Sequence, residues 1–243
     1  MNSTLCTICM RSGSQGLKGK NIKLMNGKPL MYFTIKQAIK SKIFDNIVVS
    51  TDTKKILVRA KSYGAEGWFI RPKRLASNTC SKILVIKHTL REAEKFYNKK
   101  FKFIVDLDVT SPLRKVEDII NAYKTFIKNK GDVLITCTKS KKNPYFNVVE
   151  IVNNKIKKVK NLKKEICRRQ DAPKTYDMNA SIYIYSREVL INSKTINEAL
   201  ERNVKGKAIL YEMPESRSMD IDNEFDFKLV EFLLKNQKST SKI

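Results

Sequence analysis

Short, continuous apolar runs recur along the chain, separated by longer segments that mix apolar and polar residues. The first run, Leu-Cys-Thr-Ile-Cys-Met at 5–10, predicts a strand buried on both faces, because a parallel strand covered by helices needs no polar alternation. A run at 103–108 has the same character but ends in the acidic sequence Asp-Leu-Asp. Further runs predict strands at 47–50, 68–70, 133–137, 182–185 and 208–213.

The segments between these runs carry apolar residues at helical spacing. They predict helices at 29–42, 54–63 and 117–128, and a further helix that begins after a cap at Ser81. A last helix is predicted to end near residue 236, so we expect residues 237–243 to form a frayed tail. Pro29 suits the first helical position, Gly64 suits the residue after a helix, and the Ser-Thr-Asp-Thr run at 50–53 supplies capping side chains. Alternating strands and helices predict a three-layer α/β/α fold with a mostly parallel, Rossmann-like sheet.

Residues 139–177 interrupt this alternation. The segment predicts only two short strands, at 146–151 and 156–159, which meet in a hairpin turn at Asn153-Asn154. It is too polar and too poor in strands to form a core alone. We therefore expect a small β-rich arm within a single domain spanning 1–243, and we expect this arm to pack against a second copy of the chain.

The composition is that of a globular protein. Hydrophobic residues make up 42% of the chain, and no apolar run approaches the roughly 20 residues of a membrane span. The first strand is followed by lysines rather than by a cleavage site, so the sequence does not predict a signal peptide. We expect a cytoplasmic protein without membrane contact.

The cysteines and the histidine do not predict a metal or redox site. The five cysteines are scattered and odd in number, which argues against a disulfide framework. Cys6 and Cys9 are three residues apart on a strand and point to opposite faces, so we interpret them as core residues. His88, the single histidine, lies in a helical stripe and is interpreted as a packed or surface residue rather than a base.

The formal net charge is +25, from 49 Lys and Arg against 24 Asp and Glu. A basic nucleic-acid-binding module is one explanation, and it would bind with a steep dependence on salt. The lysines are, however, spread along the chain rather than concentrated in one block, as they are on solvated faces. An anionic small substrate accounts for only a few of them, so charge alone does not choose between a binding module and an enzyme.

The segment after the first strand is basic and contains three glycines between Arg11 and Asn21. Glycines allow close approach of the backbone and positive φ, so the N–H groups of such a loop can turn toward an anion. Arg11 and Lys20 add positive charge at either end. A loop of this kind at the carboxyl end of the first strand is where open α/β sheets bind nucleotides, although its spacing is neither that of a P-loop nor that of the dinucleotide fingerprint.

Two carboxylates precede the last helix, at Asp220 and Asp222. Residues two apart in an extended segment share a face, so the pair can present oxygen ligands of the kind that Mg²⁺ binds together with a triphosphate. An acidic cap at the amino end of the helix is the alternative.

Five segments, in order, resemble motifs of the CMP-sialate cytidylyltransferases, over roughly residues 4–236. The basic loop is similar to R-x-x-S-x-G-x-x-x-K-N, residues 71–79 are similar to R-P-x-x-L-A-x-D-x-A/T, and residues 110–114 reproduce T-S-P-L-R. Residues 168–183 resemble R-Q…F-R-P-N-G-A-I-Y, and 220–222 lie where the family has its D-I-D element.

The sequence departs from these motifs at a few positions. Asn78 replaces an aspartate, Lys82 stands where serine is common, and Asp108 stands where the family often has glutamine. Tyr-Asp-Met at 176–178 replaces F-R-P. The Asp-Leu-Asp and Tyr-Asp-Met-Asn-Ala-Ser runs are most similar to the bacterial enzymes that activate 5,7-diacetamido sugars of the legionaminic type.

The resemblance implies a nucleotidyltransferase that joins CTP to the anomeric hydroxyl of a nonulosonic, sialic-acid-like sugar with nine carbons and releases pyrophosphate. The sugar oxygen would attack the α-phosphate in line, without a covalent enzyme intermediate. A legionaminic-type sugar is expected, with N-acetylneuraminate or another acidic sugar, such as an octulosonic acid, as the alternative. The resemblance also implies Mg²⁺ as cofactor, a homodimer formed through the arm, and no nucleic-acid partner.

The resemblance assigns a role to each candidate residue. Arg11, Lys20 and Asp222 are the expected catalytic residues, and Asp220 and Asp222 are expected to hold the metal. The nucleotide is expected to contact residues of the first two motifs and Lys82, namely Arg11, Ser12, Gly13, Lys20, Asn21, Arg71, Asn78 and Lys82. The sugar is expected to contact residues of the later segments, namely Asp108, Ser111, Arg169, Tyr176 and Asn179.

Overall fold

The computed structural model describes residues 3–163, 166–201 and 207–240, and its helices and strands alternate as predicted. The strands are β1 Thr4–Cys9, β2 Leu24–Met25, β3 Lys28–Pro29, β4 Asn46–Ser50, β5 Phe103–Leu107, β6 Gly131–Lys139, β7 Val149–Val152, β8 Lys155–Lys158, β9 Tyr176–Ser186 and β10 Lys207–Glu212. The helices are α1 Leu30–Ser41, α2 Lys54–Ser62, α3 Lys82–Tyr97, α4 Val116–Lys128, α5 Arg187–Asn192, α6 Ile196–Glu201 and α7 Glu224–Thr240.

Six strands form the central sheet in the order β10-β6-β9-β5-β1-β4. Strand β1 is parallel to both β4 and β5, and β10 is parallel to β6. Strand β9 runs antiparallel to both of its neighbours, with Ile184 opposite Val105 of β5 and Leu134 of β6. The mostly parallel, Rossmann-like sheet is therefore confirmed, with one strand reversed.

Helices cover both faces of this sheet, so the three-layer prediction is confirmed as well. One core packs buried residues of α1, α2, α4 and α7 against the sheet, and the other packs α3, α5 and α6 against the opposite face. On α1 the buried residues include Met31, Ile35 and Ala38, which follow helical spacing. Burying each large side chain of this kind contributes about 1.5–3 kcal/mol. Within the described residues, no helix combines the length and apolar character needed to cross a bilayer.

The predicted strand at 68–70 is wrong. Nearby, only Glu66 forms a bridge to the sheet, opposite Val48. Trp68 instead stacks on Phe96 of α3, with 4.0 Å between ring centroids. The aromatic side chains of this segment therefore attach to a helix, and an apolar run of three residues did not distinguish that packing from strand pairing.

Several predicted helix ends differ from the structure. Ser81 precedes α3 and Thr53 precedes α2, but neither side chain makes a capping hydrogen bond. Gly64 has φ 98° just after α2, as expected for the residue that ends a helix. Helix α7 continues to Thr240, past the predicted end near 236, so 237–240 are helical rather than frayed, and 241–243 lie outside the described residues. Helices α5 and α6 were not predicted.

The hairpin in the 139–177 segment is confirmed. Strands β7 and β8 pair antiparallel in a sheet of their own, and Asn153 and Asn154 have φ of 52° and 59°, the conformation of a tight type I′ turn. Ile151 and Ile156 face each other across the pair and are 76% and 75% exposed. The arm therefore presents uncovered apolar side chains beside the main domain.

Candidate active site

The basic loop after β1 lies directly against the acidic segment before α7. A Cβ atom at Gly16 would lie 2.0 Å from the carbonyl oxygen of Asp222, so only glycine fits between the two backbones. Lys20 donates a hydrogen bond to the carbonyl of Ile221. The N–H of Ile221 in turn donates to the carbonyl of Thr110, at 3.0 Å. The fold thus joins three motifs that are far apart in the sequence.

Arg11 links the loop to the 71–79 segment. Its Nη1 donates to Oδ1 of Asn78 and, at 3.5 Å, to the carbonyl of Ala76. The buried side chain of Asn21 donates to the carbonyl of Arg11 at 2.8 Å, which fixes the course of the loop. Three predicted nucleotide-binding residues are therefore in mutual contact.

Asp52, which sequence reasoning assigned only to a helix cap, instead supports the loop. Its carboxylate accepts hydrogen bonds from the backbone N–H of Ser12 at 2.8 Å and from the Ser12 hydroxyl at 2.7 Å. Although partial burial would raise the pKa of Asp52, these hydrogen bonds lower it below its ordinary value. One indication of this contact was present in the sequence, because Asp52 follows the carboxyl end of β4, the strand next to β1.

Arg71 forms part of the cleft floor and is only 5% exposed. Its Nη2 donates to the carbonyls of Met10 and Ser50, at 2.8 and 2.5 Å, and its Nε donates to Oγ of Ser50 at 3.2 Å. These hydrogen bonds join the carboxyl ends of β1 and β4. Much of the hydrogen-bonding capacity of Arg71 is therefore used within the protein.

A cleft of about 210 Å³ lies between the loop, the 71–79 segment and the first turn of α3. Five of its lining residues are predicted site residues, and they are Arg11, Arg71, Asn78, Lys82 and Asp108. The cleft opens at the carboxyl ends of the parallel strands β1, β4 and β5, where α/β sheets bind their ligands.

One wall of this cleft is a charged cluster around Lys82. Its ammonium lies 2.8 Å from Oδ2 of Asp106 and 2.6 Å from Oδ2 of Asp108, and it stands 4.9 Å from the ring centre of Tyr183. Burial would lower the pKa of Lys82, but the two carboxylates raise it above its ordinary value. Burial would likewise raise the pKa of Asp108, whereas Lys82 lowers it. The lysine is therefore charged, and its ammonium lies between the carboxyl groups of Asp106 and Asp108.

Asp220 and Asp222 have different environments. Burial raises the pKa of the Asp220 carboxyl, and the nearby charges of Asp108 and Asp222 add to the effect. Asp222 is exposed. Among the described residues, no group of three or more His, Cys, Asp or Glu side chains is placed to enclose a metal ion.

Two of the predicted sugar-binding side chains are buried in the scaffold. Ser111 is fully buried, and Asn179 is 5% exposed. Oδ1 of Asn179 accepts from the Thr136 hydroxyl at 2.7 Å, and its Nδ2 donates to Oγ of Ser218 at 3.1 Å. These contacts connect β6, β9 and the segment before α7.

Arg169 and Tyr176 belong to the arm, and neither lines the cleft that contains Asp108. Arg169 is exposed, donates to the carbonyl of Ser140 at 2.8 Å, and lines a separate cleft of about 480 Å³ at the base of the arm. Tyr176 begins β9 and pairs with Lys139. A single subunit therefore does not bring these two residues together with Asp108.

Arg114, the last residue of T-S-P-L-R, was not predicted as a site residue and is 1% exposed. Its Nη1 donates to the carbonyl of Ser181 at 2.6 Å and to that of Asp108 at 3.3 Å, and its Nη2 donates to Oγ1 of Thr34 at 3.1 Å. Burial lowers the pKa of Arg114 to about 10, so it stays charged at neutral pH. It fixes the backbone on which Asp108 is carried.

His88 is packed, as expected, but of the two cysteines interpreted as core residues only Cys6 is buried. All five cysteines are free, and Cys6 is fully buried. The His88 ring packs against Phe69, with 5.4 Å between centroids, and burial lowers its pKa. Cys9 lines the cleft beside Asp106, whereas His88 lies outside the charged cluster.

A basic glycine loop, an acidic segment and a polar cleft at the carboxyl edge of a Rossmann-like sheet define the class of the protein as a nucleotidyltransferase. A match to the family described as "Cytidylyltransferase" spans residues 5–238. The chain belongs to this family, and it is an enzyme of the cytidylyltransferase type.

Relatives with curated names agree with this assignment. The chain is 42% identical over 242 residues to "Post-translational flagellin modification protein B" of Campylobacter coli, covering 100% of this chain and 99% of the relative. It is also 42% identical over 234 residues to "CMP-N,N'-diacetyllegionaminic acid synthase" of Campylobacter jejuni, covering 96% of each.

A solved structure shares the fold. CMP:2-keto-3-deoxy-manno-octonic acid synthetase, in a structure complexed with CTP, aligns with a TM-score of 0.68 over 97% of this chain and 100% of that one. The two sequences are 16% identical, so this similarity concerns the fold alone.

Proposed function

We propose that the protein transfers CMP from CTP to the anomeric hydroxyl of an acidic nine-carbon sugar of the diacetamido, legionaminic type, and releases pyrophosphate. The contact between Gly16 and Asp222 supports the proposal, because the basic glycine loop lies against the segment that carries Asp220 and Asp222. The 42% identity to a CMP-N,N'-diacetyllegionaminic acid synthase over almost the whole chain supports this choice of sugar.

In this proposal Arg11 and Lys20 bind the triphosphate. Both lie on the loop, and both are held by protein carbonyl or amide oxygens that a phosphate would replace as hydrogen-bond acceptors. Ser12, Gly13, Asn21, Arg71 and Asn78 shape the nucleotide side of the cleft. The sugar oxygen attacks the α-phosphate, the bond from that phosphorus to the pyrophosphate oxygen breaks, and the chain contributes positioning and positive charge.

Asp220 and Asp222 fit a Mg²⁺ ion by the chemistry of their donors. Two carboxylates suit a cation that would take its remaining oxygen ligands from phosphate and water. When bound, Mg²⁺ would neutralise charge on the triphosphate. Burial raises the pKa of Asp220, the charges of Asp108 and Asp222 add to the effect, and a cation would relieve this repulsion.

The sugar is proposed to bind beside Asp108. Ser111 and Asn179 support this region from within the scaffold, since their side chains are buried. Arg169 and Tyr176 lie away from the cleft, and a second subunit is the proposed route by which such arm residues reach a sugar.

A homodimer formed through the arm is part of the proposal. Val149, Ile151 and Ile156 lie on one face of the hairpin and are 58%, 76% and 75% exposed. Exposed apolar groups of this kind indicate a protein partner. Because CTP is a cytoplasmic nucleotide, a cytoplasmic location follows from the same proposal.

The test incubates the protein with CTP, Mg²⁺ and one acidic sugar at a time, and measures pyrophosphate release and the mass of the product. The panel contains N,N'-diacetyllegionaminic acid, N-acetylneuraminate and an octulosonic acid. We expect a CMP-sugar, with kcat/KM for the diacetamido sugar at least about tenfold above that for N-acetylneuraminate. Equal values would contradict the sugar assignment, and no product from any sugar would contradict the function.

A further inference from the structure

Two of the positions at which this chain departs from its family's motifs are in direct contact. Lys82 stands where serine is common and Asp108 where glutamine is frequent, and their side chains form an ion pair of 2.6 Å. The two changes are 26 residues apart in the sequence, on α3 and after β5. They meet in the wall of the 210 Å³ cleft, which suggests one coupled exchange rather than two independent ones.

The Lys82 ammonium has little capacity left for a phosphate. Of its three N–H groups, one donates to Oδ2 of Asp108, and the ammonium also lies 2.8 Å from Oδ2 of Asp106. The ring of Tyr183 lies 4.9 Å away, at cation–π distance. Moving Lys82 to a phosphate would leave two acidic groups uncompensated, one of them fully buried.

Asp106 is the buried partner of Lys82. It is fully buried, and its second oxygen, Oδ1, accepts from the Thr7 hydroxyl at 2.6 Å. Thr7 is itself fully buried on β1. The position of the ammonium is therefore set by the two central strands of the cleft floor, β1 and β5.

Asp108 is then left with one oxygen for a ligand. Its Oδ2 is bound to Lys82, whereas its Oδ1 accepts no hydrogen bond from any residue that the structure describes. The side chain is 22% exposed and lines the cleft. An ionised carboxylate oxygen can only accept, so it requires an N–H or O–H from the ligand.

We propose that Lys82 and Asp106 are positioning residues that orient Asp108, so that its Oδ1 accepts an amide N–H of the sugar, and that the three residues together select a sugar with a second acetamido group. This inference rests on the proposed function. It replaces the expectation that Lys82 contacts the nucleotide, and it gives Asp106 a role that the motifs did not indicate.

The experiment compares the wild-type protein with Lys82→Ser, Asp108→Gln and the double variant. For each, we measure CTP affinity by calorimetry and kcat/KM for the diacetamido sugar and for N-acetylneuraminate. Lys82→Ser is expected to lower kcat/KM for the diacetamido sugar by about 10²-fold, because it leaves two carboxylates unpaired. The double variant is expected to lose less than the single losses multiplied together, and its preference for the diacetamido sugar is expected to fall at least about tenfold.

Two further variants separate positioning from general damage. Asp106→Asn keeps the shape of the side chain, and it is expected to raise KM for the sugar about tenfold while CTP affinity changes less than about threefold. Lys95→Met removes one positive charge from the exposed face of the same helix, and it is expected to match wild type in every assay. Melting temperatures identify any variant that is unfolded. If Lys82→Ser is unfolded, the sugar KM and CTP affinity of Asp106→Asn test the inference instead.

The inference is overturned if Lys82→Ser weakens CTP binding tenfold or more while the ratio of the two sugars stays unchanged. It is also overturned if the effects of Lys82→Ser and Asp108→Gln simply add. Neither result touches the proposed function, which fails only if wild-type protein makes no CMP-sugar from any sugar of the panel.

Discussion

Gly16→Ala tests the contact on which the site depends. The added Cβ would lie 2.0 Å from the carbonyl oxygen of Asp222, whereas an ordinary carbon–oxygen contact is about 3.3 Å. The loop and the acidic segment must therefore separate by about 1.3 Å, and no flexible side chain can absorb the shift, because the obstructing atom belongs to the backbone. A displacement of about 1 Å in a catalytic site can cost about 10²-fold in rate, and overpacking costs about 1–3 kcal/mol of stability.

We accordingly expect Gly16→Ala to lower kcat/KM for CTP about 10²-fold, with a melting temperature reduced by roughly 2–10 °C. Steady-state pyrophosphate release and thermal unfolding measure the two effects. Gly131→Ala is the matched control, since its Cβ would meet only side chains, Cδ1 of Ile209 at 2.6 Å and Cδ2 of Phe126 at 2.9 Å, at the start of β6 and away from the cleft. It should lower stability while kcat/KM stays within about threefold. Near-normal kcat/KM in Gly16→Ala would refute the role of this contact.

Three other predictions address charge, metal and assembly. Arg11→Ala and Lys20→Ala should each lower kcat about 10²-fold, and normal turnover in both would contradict their placement at the triphosphate. Asp222→Asn and EDTA should each abolish pyrophosphate release while the circular dichroism spectrum is unchanged, and a rate insensitive to EDTA would exclude the metal. Ile151→Asp should convert a dimer into monomers by light scattering, whereas Glu150→Lys on the other face of the hairpin should not, and a monomeric wild-type protein would count against the arm as an interface.

The fold was predictable from the sequence where many residues supported the same element. The stripe of α1 buries several side chains on one face of a helix, and the continuous apolar run of β1 is buried on both faces, so each signal rests on several residues. Short apolar runs were less reliable, since 68–70 packs on α3 instead of joining the sheet. The local sequence does not indicate that β9 runs antiparallel to its neighbours, because the apolar pattern of a buried strand is the same for either direction.

The site was less predictable than the fold, because its geometry depends on which strand ends become neighbours. Asp52 was interpreted as a cap of its own helix, yet it bonds Ser12, which is 40 residues earlier. The sequence placed Asp106 in a strand whose last residues are acidic. Because residues two apart in a strand share a face, Asp106 and Asp108 could be predicted to lie on the same side. Only the position of Lys82 on α3 shows that one ammonium serves both.

The family motifs combine two kinds of residue that a sequence does not separate. Arg71, Arg114 and Asn179 all belong to motif segments, but each is 5% exposed or less and uses most of its polar atoms for hydrogen bonds to partners within the fold. Arg11, by contrast, lies at the cleft, and its guanidinium donates to Asn78 and, in a weak contact, to the carbonyl of Ala76, both of which a ligand can replace. Burying a charged group is tolerated only when its hydrogen bonds are satisfied, so the first kind keeps the cleft in shape and the second kind is available to bind. Substrate preference should therefore follow residues at the cleft wall, and the Lys82–Asp108 pair is where this chain differs there from its family's pattern.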